Sequence, residues 1–163
     1  MTSTVHLRAV SEADLPAFFE HQHDPLASQL ADFPSRDWDS FSAHWAKILT
    51  DDQCVIRTVV YEGHTAGNIV AFPQSGKTLI GYWLGRDLWG RGIGTQALTL
   101  FLDEVTSRPL FAYVAKRNTG SIRVLEKCGF VRWEDAPQEA LSGGEPDELL
   151  YKFEAGVPSR SKV

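Results

Sequence analysis

The chain has 163 residues, 43% of them hydrophobic and 23% charged, and its formal net charge is -5. This length and composition predict one soluble domain with a core of its own. The acidic balance argues against nucleic acid as a bulk electrostatic partner. Cys54 and Cys128 lack metal-ligand spacing, and no apolar run reaches membrane-spanning length. With no recognisable signal peptide, we expect a cytoplasmic protein with reduced thiols, no metal and no membrane partner.

Apolar periodicity in the first part of the chain predicts a strand followed by helices. Residues 4–10 alternate as a strand does. Ser11 and Asp14 have the spacing of a capping box at a helix start. Pro25 interrupts that helix, because proline lacks a backbone donor, and a second helical piece runs to residue 30. A third helix over residues 38–49 carries aromatic side chains at three- and four-residue steps.

The rest of the chain predicts most of a sheet and two more helices. Three strands separated by short turns must be antiparallel neighbours, at residues 54–61, 65–72 and 79–84. An apolar helix over 93–105, a strand over 110–114 and a helix over 121–128 that Gly129 ends come next. Strands over 131–134 and 148–153, joined by a loop around 142–146, complete the pattern.

These elements predict an α+β fold with a mixed, mostly antiparallel sheet of about six to seven strands and about four flanking helices. We expect residues 1–154 to form a single domain and residues 155–163 to form a flexible C-terminal tail. No internal repeat or low-complexity tract interrupts this organisation.

A glycine-spaced turn precedes the apolar helix of the second half. Gly90, Gly92 and Gly94 fall where that helix begins, and a helix start presents N–H groups without partners together with a partial positive charge. Because glycine has no side chain, such a turn can cradle phosphate oxygens. The turn lacks the Lys-Ser/Thr pair of a Walker loop, and Thr95 replaces the third glycine of a Rossmann turn. A glycine-rich turn that binds no ligand is the alternative.

Two motifs resemble one family, the GNAT superfamily of N-acetyltransferases. Its acetyl-CoA pyrophosphate loop, [Q/R]-x-x-G-x-[G/A], is similar to the run WGRGIG at residues 89–94. Trp89 replaces the usual Gln or Arg, as in the branch that resembles ribosomal-protein N-terminal acetyltransferases. A second signature of that branch, N-x-x-S-x-x-x-x-E-K-x-G-F, is similar to residues 118–130. The element order also matches, so the resemblance implies a GNAT-like sheet with a splayed strand pair.

The resemblance implies transfer of an acetyl group from acetyl-CoA to a primary amine, by direct attack on the thioester. A protein N-terminus or a small amine would be the acceptor, and the protein would be a monomer or a homodimer that binds no nucleic acid. The expected contacts of acetyl-CoA are Tyr82, Trp83, Leu84, Trp89, Gly90, Arg91, Gly92, Ile93, Gly94, Thr95, Asn118 and Ser121. A basic patch suits that anionic cofactor, at Arg108, Lys116, Arg117, Arg123, Lys127 and Arg132.

The resemblance implies residues for the cofactor loop but does not supply a full set of catalytic residues. Leu125 occupies the position at which many family members have a tyrosine that protonates the leaving thiolate. Asn118 and Ser121 are therefore the catalytic candidates, although Ser121 could equally serve only in the first turn of its helix. The general base is unknown, since no spacing distinguishes the possible bases Asp32, His23 and Glu62.

Two further questions stay open at this point. Acidic residues in two loops would suit a cationic acceptor, namely Asp24, Asp32, Asp37, Glu139, Glu145 and Asp147. The missing tyrosine also leaves room for a different class of function, a non-catalytic CoA-binding sensor or interaction module. Both hypotheses predict CoA binding, and only the enzyme predicts release of a free thiol when an amine is added.

Overall fold

A seven-stranded sheet organises the residues that the computed structural model describes, which are 4–31, 36–134 and 148–154. The sheet order is β1-β2-β3-β4-β5-β7-β6. Neighbouring strands are antiparallel except β4 and β5, which run parallel. The strands are β1 (Val5–Ala9), β2 (Val55–Tyr61), β3 (His64–Gln74), β4 (Lys77–Leu84), β5 (Leu110–Ala115), β6 (Val131–Arg132) and β7 (Glu148–Phe153). The predicted mixed, mostly antiparallel sheet is confirmed.

Five α-helices lie in the described part of the chain, one more than the approximate number predicted. They are α1 (Leu15–Gln22), α2 (Pro25–Ala31), α3 (Trp38–Leu49), α4 (Ile93–Glu104) and α5 (Thr119–Lys127). The fifth is the predicted second helical piece, which begins at Pro25 itself, as the missing N–H of proline allows at a first helical position. Short 3-10 turns at Glu12–Asp14 and Arg86–Leu88 precede α1 and the glycine turn.

The helices cover the two faces of the sheet with separate apolar clusters. On one face, α4 and α5 bury Leu98, Phe101 and Leu125 against the central strands. On the other face, α1 and α3 bury Phe18 and Trp45, among others, over β2 and β3. β2 and β3 alternate between the two clusters, with Val59 and Ile69 in the first and Ile56 and Val70 in the second, as expected for strands that are covered on both sides.

The parallel pair in the middle of the sheet separates after two residues. The register of β4 and β5 holds only at Thr78 with Leu110 and at Leu79 with Phe111. On its other side β4 stays paired with β3 along its whole length, from Lys77 to Leu84. The expected splayed pair is therefore present, and the divergence opens a gap at the carboxyl end of β4.

Local capping signals read from the sequence are also confirmed. The Ser11 side chain accepts from the backbone of Ala13, while Asp14 accepts from Ser11 N at 2.9 Å, which completes the capping box. Gly129 has φ 99 and follows α5, and Phe130 N donates to Leu125 O at 3.0 Å, the pattern of a Schellman motif. The predicted loop around residues 142–146 and the predicted tail at 155–163 lie outside the described residues.

Within the described ranges, no helix combines the length and the apolarity that crossing a membrane requires.

Candidate active site

A cleft of about 500 Å³ opens where β4 and β5 separate, bounded by the N-termini of α4 and α5. Eleven of the twelve expected cofactor contacts line it: Tyr82, Trp83, Leu84, Trp89, Gly90, Gly92, Ile93, Gly94, Thr95, Asn118 and Ser121. Arg91 is exposed and does not line the cleft. The fold thus brings the strand end, the glycine turn and the second motif together around one space.

The N-terminus of α4 opens into this cleft without a capping side chain. Gly92 is the N-cap residue, with φ 79, and among the described residues no side-chain cap hydrogen bond is formed at this helix start. Gly90 has φ 77, and a Cβ built there would have no atom within 4 Å. Because the first turn also lacks an acidic residue, the N–H groups at this helix start and their partial charge remain available to an anion.

Basic side chains surround the cleft, and none of its described lining residues is acidic. Arg117, Arg123 and Lys127 line it and belong to the basic patch noted in the sequence. Arg86, which lies close to the turn in the chain, instead forms an ion pair with Asp24 at 2.9 Å. The cleft is therefore locally positive in a chain whose formal net charge is -5, a field that attracts an anionic ligand.

Two tryptophans hold the strand end and the turn in place. Trp89 donates its indole N–H to Leu84 O at 3.1 Å, and Trp83 donates its indole N–H to His21 O at 3.0 Å. The first bond ties the glycine turn to the end of β4, and the second ties β4 to α1. Trp89, which departs from the usual family residue, thus stabilises the conformation of the loop.

The two catalytic candidates meet at the start of α5. Asn118 is the N-cap residue, and its Oδ1 accepts from Ser121 N at 3.3 Å. The Oγ of Ser121 lies 2.8 Å from the hydroxyl oxygen of Tyr82, which also donates to Ser121 O at 3.2 Å. Asn118 therefore caps the helix, and Ser121 stands at the cleft wall with a tyrosine beside it.

The hydroxyl of Tyr82 was not expected from the sequence, which assigned Tyr82 only to the strand that contacts the cofactor. Burial raises the pKa of Tyr82, while its bond to Ser121 acts in the opposite direction. The phenol therefore stays protonated at neutral pH. No sequence signal joins it to Ser121, because the contact depends on how β4 packs against α5.

Leu125 and the candidate general bases do not line the cleft where they are described. Leu125 is 1% exposed and packs in the core under α5, so it leaves the cleft to other side chains. His23 ends α1 and packs on Phe19 with ring centroids 4.2 Å apart, and Glu62 lies in the β2–β3 turn. Neither lines the cleft, and Asp32 lies outside the described residues.

Several cleft residues were missed by the motif comparison. Ala27, Leu88, Thr119, Gly120 and Val124 also line the space. Thr119 and Gly120 fall inside the second motif, so the sequence could have predicted their place in the cleft. Ala27 lies at the cleft only because of the way α2 packs. In the described ranges, no group of three or more His, Cys, Asp or Glu side chains is arranged to hold a metal ion.

Comparison with solved structures shows the same fold at low identity. AAC(6')-Ib in complex with ribostamycin and coenzyme A is 16% identical over 98% of both chains, with a TM-score of 0.75. A Vibrio cholerae spermidine N-acetyltransferase in complex with CoA and spermine is 15% identical over 91% of this chain and 92% of its own, with a TM-score of 0.72. RimL, a ribosomal L7/L12 α-N-protein acetyltransferase, is 20% identical over 93% of this chain and 90% of its own, with a TM-score of 0.70.

Sequence comparison gives the family directly. No curated protein matches the chain significantly. The model of the acetyltransferase (GNAT) domain matches residues 4–131, a range that contains both motifs and the whole described cleft. The resemblance read from residues 89–94 and 118–130 is thereby confirmed, and the chain belongs to the GNAT acetyltransferase domain family.

Proposed function

We propose that the protein transfers the acetyl group of acetyl-CoA to a primary amine, by direct attack of the neutral amine on the thioester. The observation that supports this most is the uncapped N-terminus of α4, which opens into a positive cleft beside the splayed strand β4. A diphosphate linked to an extended thiol-bearing arm has the charge and the length that this combination suits.

The proposed position of the cofactor follows from these features. Its pyrophosphate accepts hydrogen bonds from the backbone of Ile93, Gly94 and Thr95, and Arg123 and Lys127 add positive charge at the same cleft. The pantetheine arm lies along β4 in the gap that β5 leaves, in the manner of an added strand. This arrangement carries the thioester toward Tyr82 and Ser121.

The proposed chemistry uses orientation more than strong acids and bases. The amine nitrogen forms a bond to the acetyl carbon, the carbon–sulfur bond breaks, the nitrogen loses a proton to solvent and the thiolate of CoA gains one. Holding the two reactants in contact supplies much of the acceleration. Backbone N–H groups of β4 are suited to stabilise the developing oxyanion.

Ser121 is the group we propose to stabilise the departing sulfur. Its Oγ shares a hydrogen bond with the hydroxyl of Tyr82 in which either oxygen can donate. In the proposed step the phenol, which burial keeps protonated, donates to Oγ, so that the proton of Ser121 is available to the sulfur. In this arrangement Ser121 is the catalytic residue and Tyr82 is a positioning residue. Asn118 acts through the helix cap rather than on the substrate.

A paired measurement tests the proposal. Calorimetric titration with CoA reports binding, and a thiol-release assay with acetyl-CoA and a panel of primary amines reports transfer. We expect both to be positive, with thiol release that depends on the amine. Binding of CoA without amine-dependent thiol release would favour the alternative, a non-catalytic CoA-binding module, and absence of CoA binding would exclude both.

A further inference from the structure

A second cavity, of about 530 Å³, lies on the face of the sheet that α1 and α3 cover. Its walls come from α1, α3 and strands β2 to β4, and Trp83 is a lining residue of both this cavity and the cofactor cleft. The two spaces therefore share one wall residue, at the end of β4. The volume is in the range that holds a small organic molecule.

Aromatic rings form much of this cavity. Phe18, Phe41, Trp45 and Trp83 all line it, and Trp45 packs against Phe18 and Phe41 with ring centroids 5.0 and 5.9 Å apart. Such walls favour another aromatic ring, which can pack in offset or edge-to-face contact. They offer few hydrogen-bond partners to a chain of hydroxyl groups.

One polar group in the cavity is buried and unsatisfied. Gln22 is 7% exposed, and its Nε2 finds no hydrogen-bond partner among the described residues. Its backbone is fixed, since Gln22 O accepts from Ser28 Oγ at 2.6 Å. An unpaired buried amide N–H is unfavourable in the empty protein, and a ligand oxygen that accepts from Nε2 would remove this deficit.

The charge of the cavity does not favour a polycation. Among its described lining residues, Arg36 carries a positive charge and Asp51 a negative charge, so these two charges cancel. Burial, with Arg36 and Lys47 nearby, lowers the pKa of His44, so this imidazole is largely neutral at pH 7. The cavity therefore lacks the excess of carboxylates that would hold several ammonium groups.

The two described acids of the set that suggested a cationic acceptor, Asp24 and Asp37, both bind other groups of the protein. Asp24 pairs with Arg86 and accepts from Leu26 N. Asp37 caps α3 by accepting from Ser40 N at 2.8 Å. The other four acids of that set, Asp32, Glu139, Glu145 and Asp147, lie outside the described residues.

We infer that the cavity binds the amine acceptor, and that this acceptor is a small aromatic primary amine with a neighbouring carbonyl oxygen. The ring lies among the aromatic walls, the carbonyl accepts from Gln22 Nε2, and the amine is directed along Trp83 to the thioester. This inference rests on the proposed acetyl transfer and names its substrate class.

Three probe amines separate the contributions of ring, carbonyl and charge. L-Phenylalaninamide carries the ring and the carbonyl, 2-phenylethylamine carries the ring alone, and spermidine carries only positive charge and a flexible chain. We expect kcat/KM in the thiol-release assay to be at least about 10-fold higher for L-phenylalaninamide than for spermidine, with 2-phenylethylamine between them. A cationic preference, with spermidine the best of the three, would overturn the inference.

Matched variants test the amide. Gln22→Leu removes the buried donor, and Gln53→Leu makes the same change at an exposed residue that lines neither the cavity nor the cleft. We expect Gln22→Leu to lower kcat/KM for L-phenylalaninamide about 5-fold, to leave 2-phenylethylamine unchanged and to keep or raise Tm, because no protein partner is lost. Gln53→Leu should change kcat/KM for neither substrate. Equal losses for both aromatic amines in Gln22→Leu would contradict the role of its amide.

The failure of this inference can be told apart from the failure of the proposed function. Binding of L-phenylalaninamide is measured separately by tryptophan fluorescence, since Trp45 and Trp83 line the cavity. If CoA binds and amines release thiol but L-phenylalaninamide neither binds nor reacts, acetyl transfer stands and the substrate class is wrong. If CoA itself does not bind, the proposed function fails first. If L-phenylalaninamide binds in the wild type but not in a variant that fills the cavity, Val70→Trp, the location is supported.

Discussion

The hydroxyl oxygen of Tyr82 lies 2.8 Å from the Oγ of Ser121, although 39 positions separate the two residues in the chain. Tyr82 reaches this position from the end of β4, and Ser121 from the first turn of α5. Leu125, at whose position the resemblance to the family implies a tyrosine, is instead buried in the core. Because burial favours the protonated phenol, we propose that Tyr82 orients the serine hydroxyl rather than supplying a proton itself.

The first prediction separates orientation from direct participation by Tyr82. We expect Tyr82→Phe to lower kcat about 5-fold, the effect of one lost hydrogen bond, with little change in CoA affinity. We expect Ser121→Ala to lower kcat at least as much. In the Ser121→Ala background, Tyr82→Phe should have little further effect on kcat, because the Oγ through which Tyr82 acts is absent and only its bond to the backbone oxygen of residue 121 is left to lose. A loss that persists in the double variant would show that Tyr82 acts on the substrate directly.

The second prediction tests the cofactor cleft without disturbing backbone geometry. Gly120 lines the cleft in the first turn of α5, and a Cβ built there has no atom within 4 Å. Its φ is not positive, in contrast to Gly90 and Gly92, so a side chain is tolerated. We expect Gly120→Leu to weaken CoA binding at least about 10-fold by calorimetry, and to keep or raise Tm because leucine favours the helix.

Gly120→Ala is the control for that experiment. It makes the same improvement in helix propensity but adds only one carbon to the cleft. We expect a Tm similar to that of Gly120→Leu together with CoA affinity close to that of the wild type. If both variants bind CoA as the wild type does, the cleft does not hold the cofactor.

The third prediction concerns charge at the cleft. Lys127 lines it, whereas Lys116 is exposed on the preceding loop and does not. Replacing Lys127 by Met should weaken CoA binding about 3- to 5-fold, which is the effect expected from the loss of one solvent-exposed charge interaction. CoA affinity should also depend less on salt concentration in this variant. Replacing Lys116 by Met makes the same change in net charge away from the cleft. Equal effects of the two variants would indicate only long-range attraction.

The fourth prediction concerns stability and pH. Asp14 is 3% exposed and accepts from Arg8, Ser11 N, Thr58 and Thr65. The Arg8 bond is the main reason that the pKa of Asp14 lies far below its usual value, and burial opposes it. A depressed pKa in the folded state stabilises the protein above the unfolded pKa of about 3.9, and this contribution declines as the pH falls below that value.

Urea unfolding measures this contribution. We expect Asp14→Asn to lower the free energy of unfolding by about 2–3 kcal/mol at pH 7, since charge-assisted hydrogen bonds are lost. The difference from the wild type should narrow between pH 5 and pH 3. Asp103→Asn, a change at an exposed carboxylate of α4, should have little effect at either pH. A constant difference across this range would contradict the linkage.

The sequence by itself determined the elements and the glycine turn. Helix and strand boundaries mostly fell within a few residues of those observed, as at α3, because apolar periodicity and caps are local properties. The glycine turn at 90–94 was equally readable, since positive φ at Gly90 and Gly92 requires that residue type. A position inside the motif does not by itself place a side chain in the cleft. Arg91 lies inside the motif but does not line the cleft.

Only the tertiary structure decided which distant side chains meet. It placed the hydroxyl of Tyr82 on Ser121, brought Arg123 and Lys127 to the cleft, and left Gln22 Nε2 without a partner among the described residues, beside an aromatic cavity. These contacts depend on the splay of β4 from β5 and on the packing of helices on both faces of the sheet. Local patterns fix the direction of a side chain relative to its own element, but the partner it reaches is set by the packing of elements that are far apart in the chain.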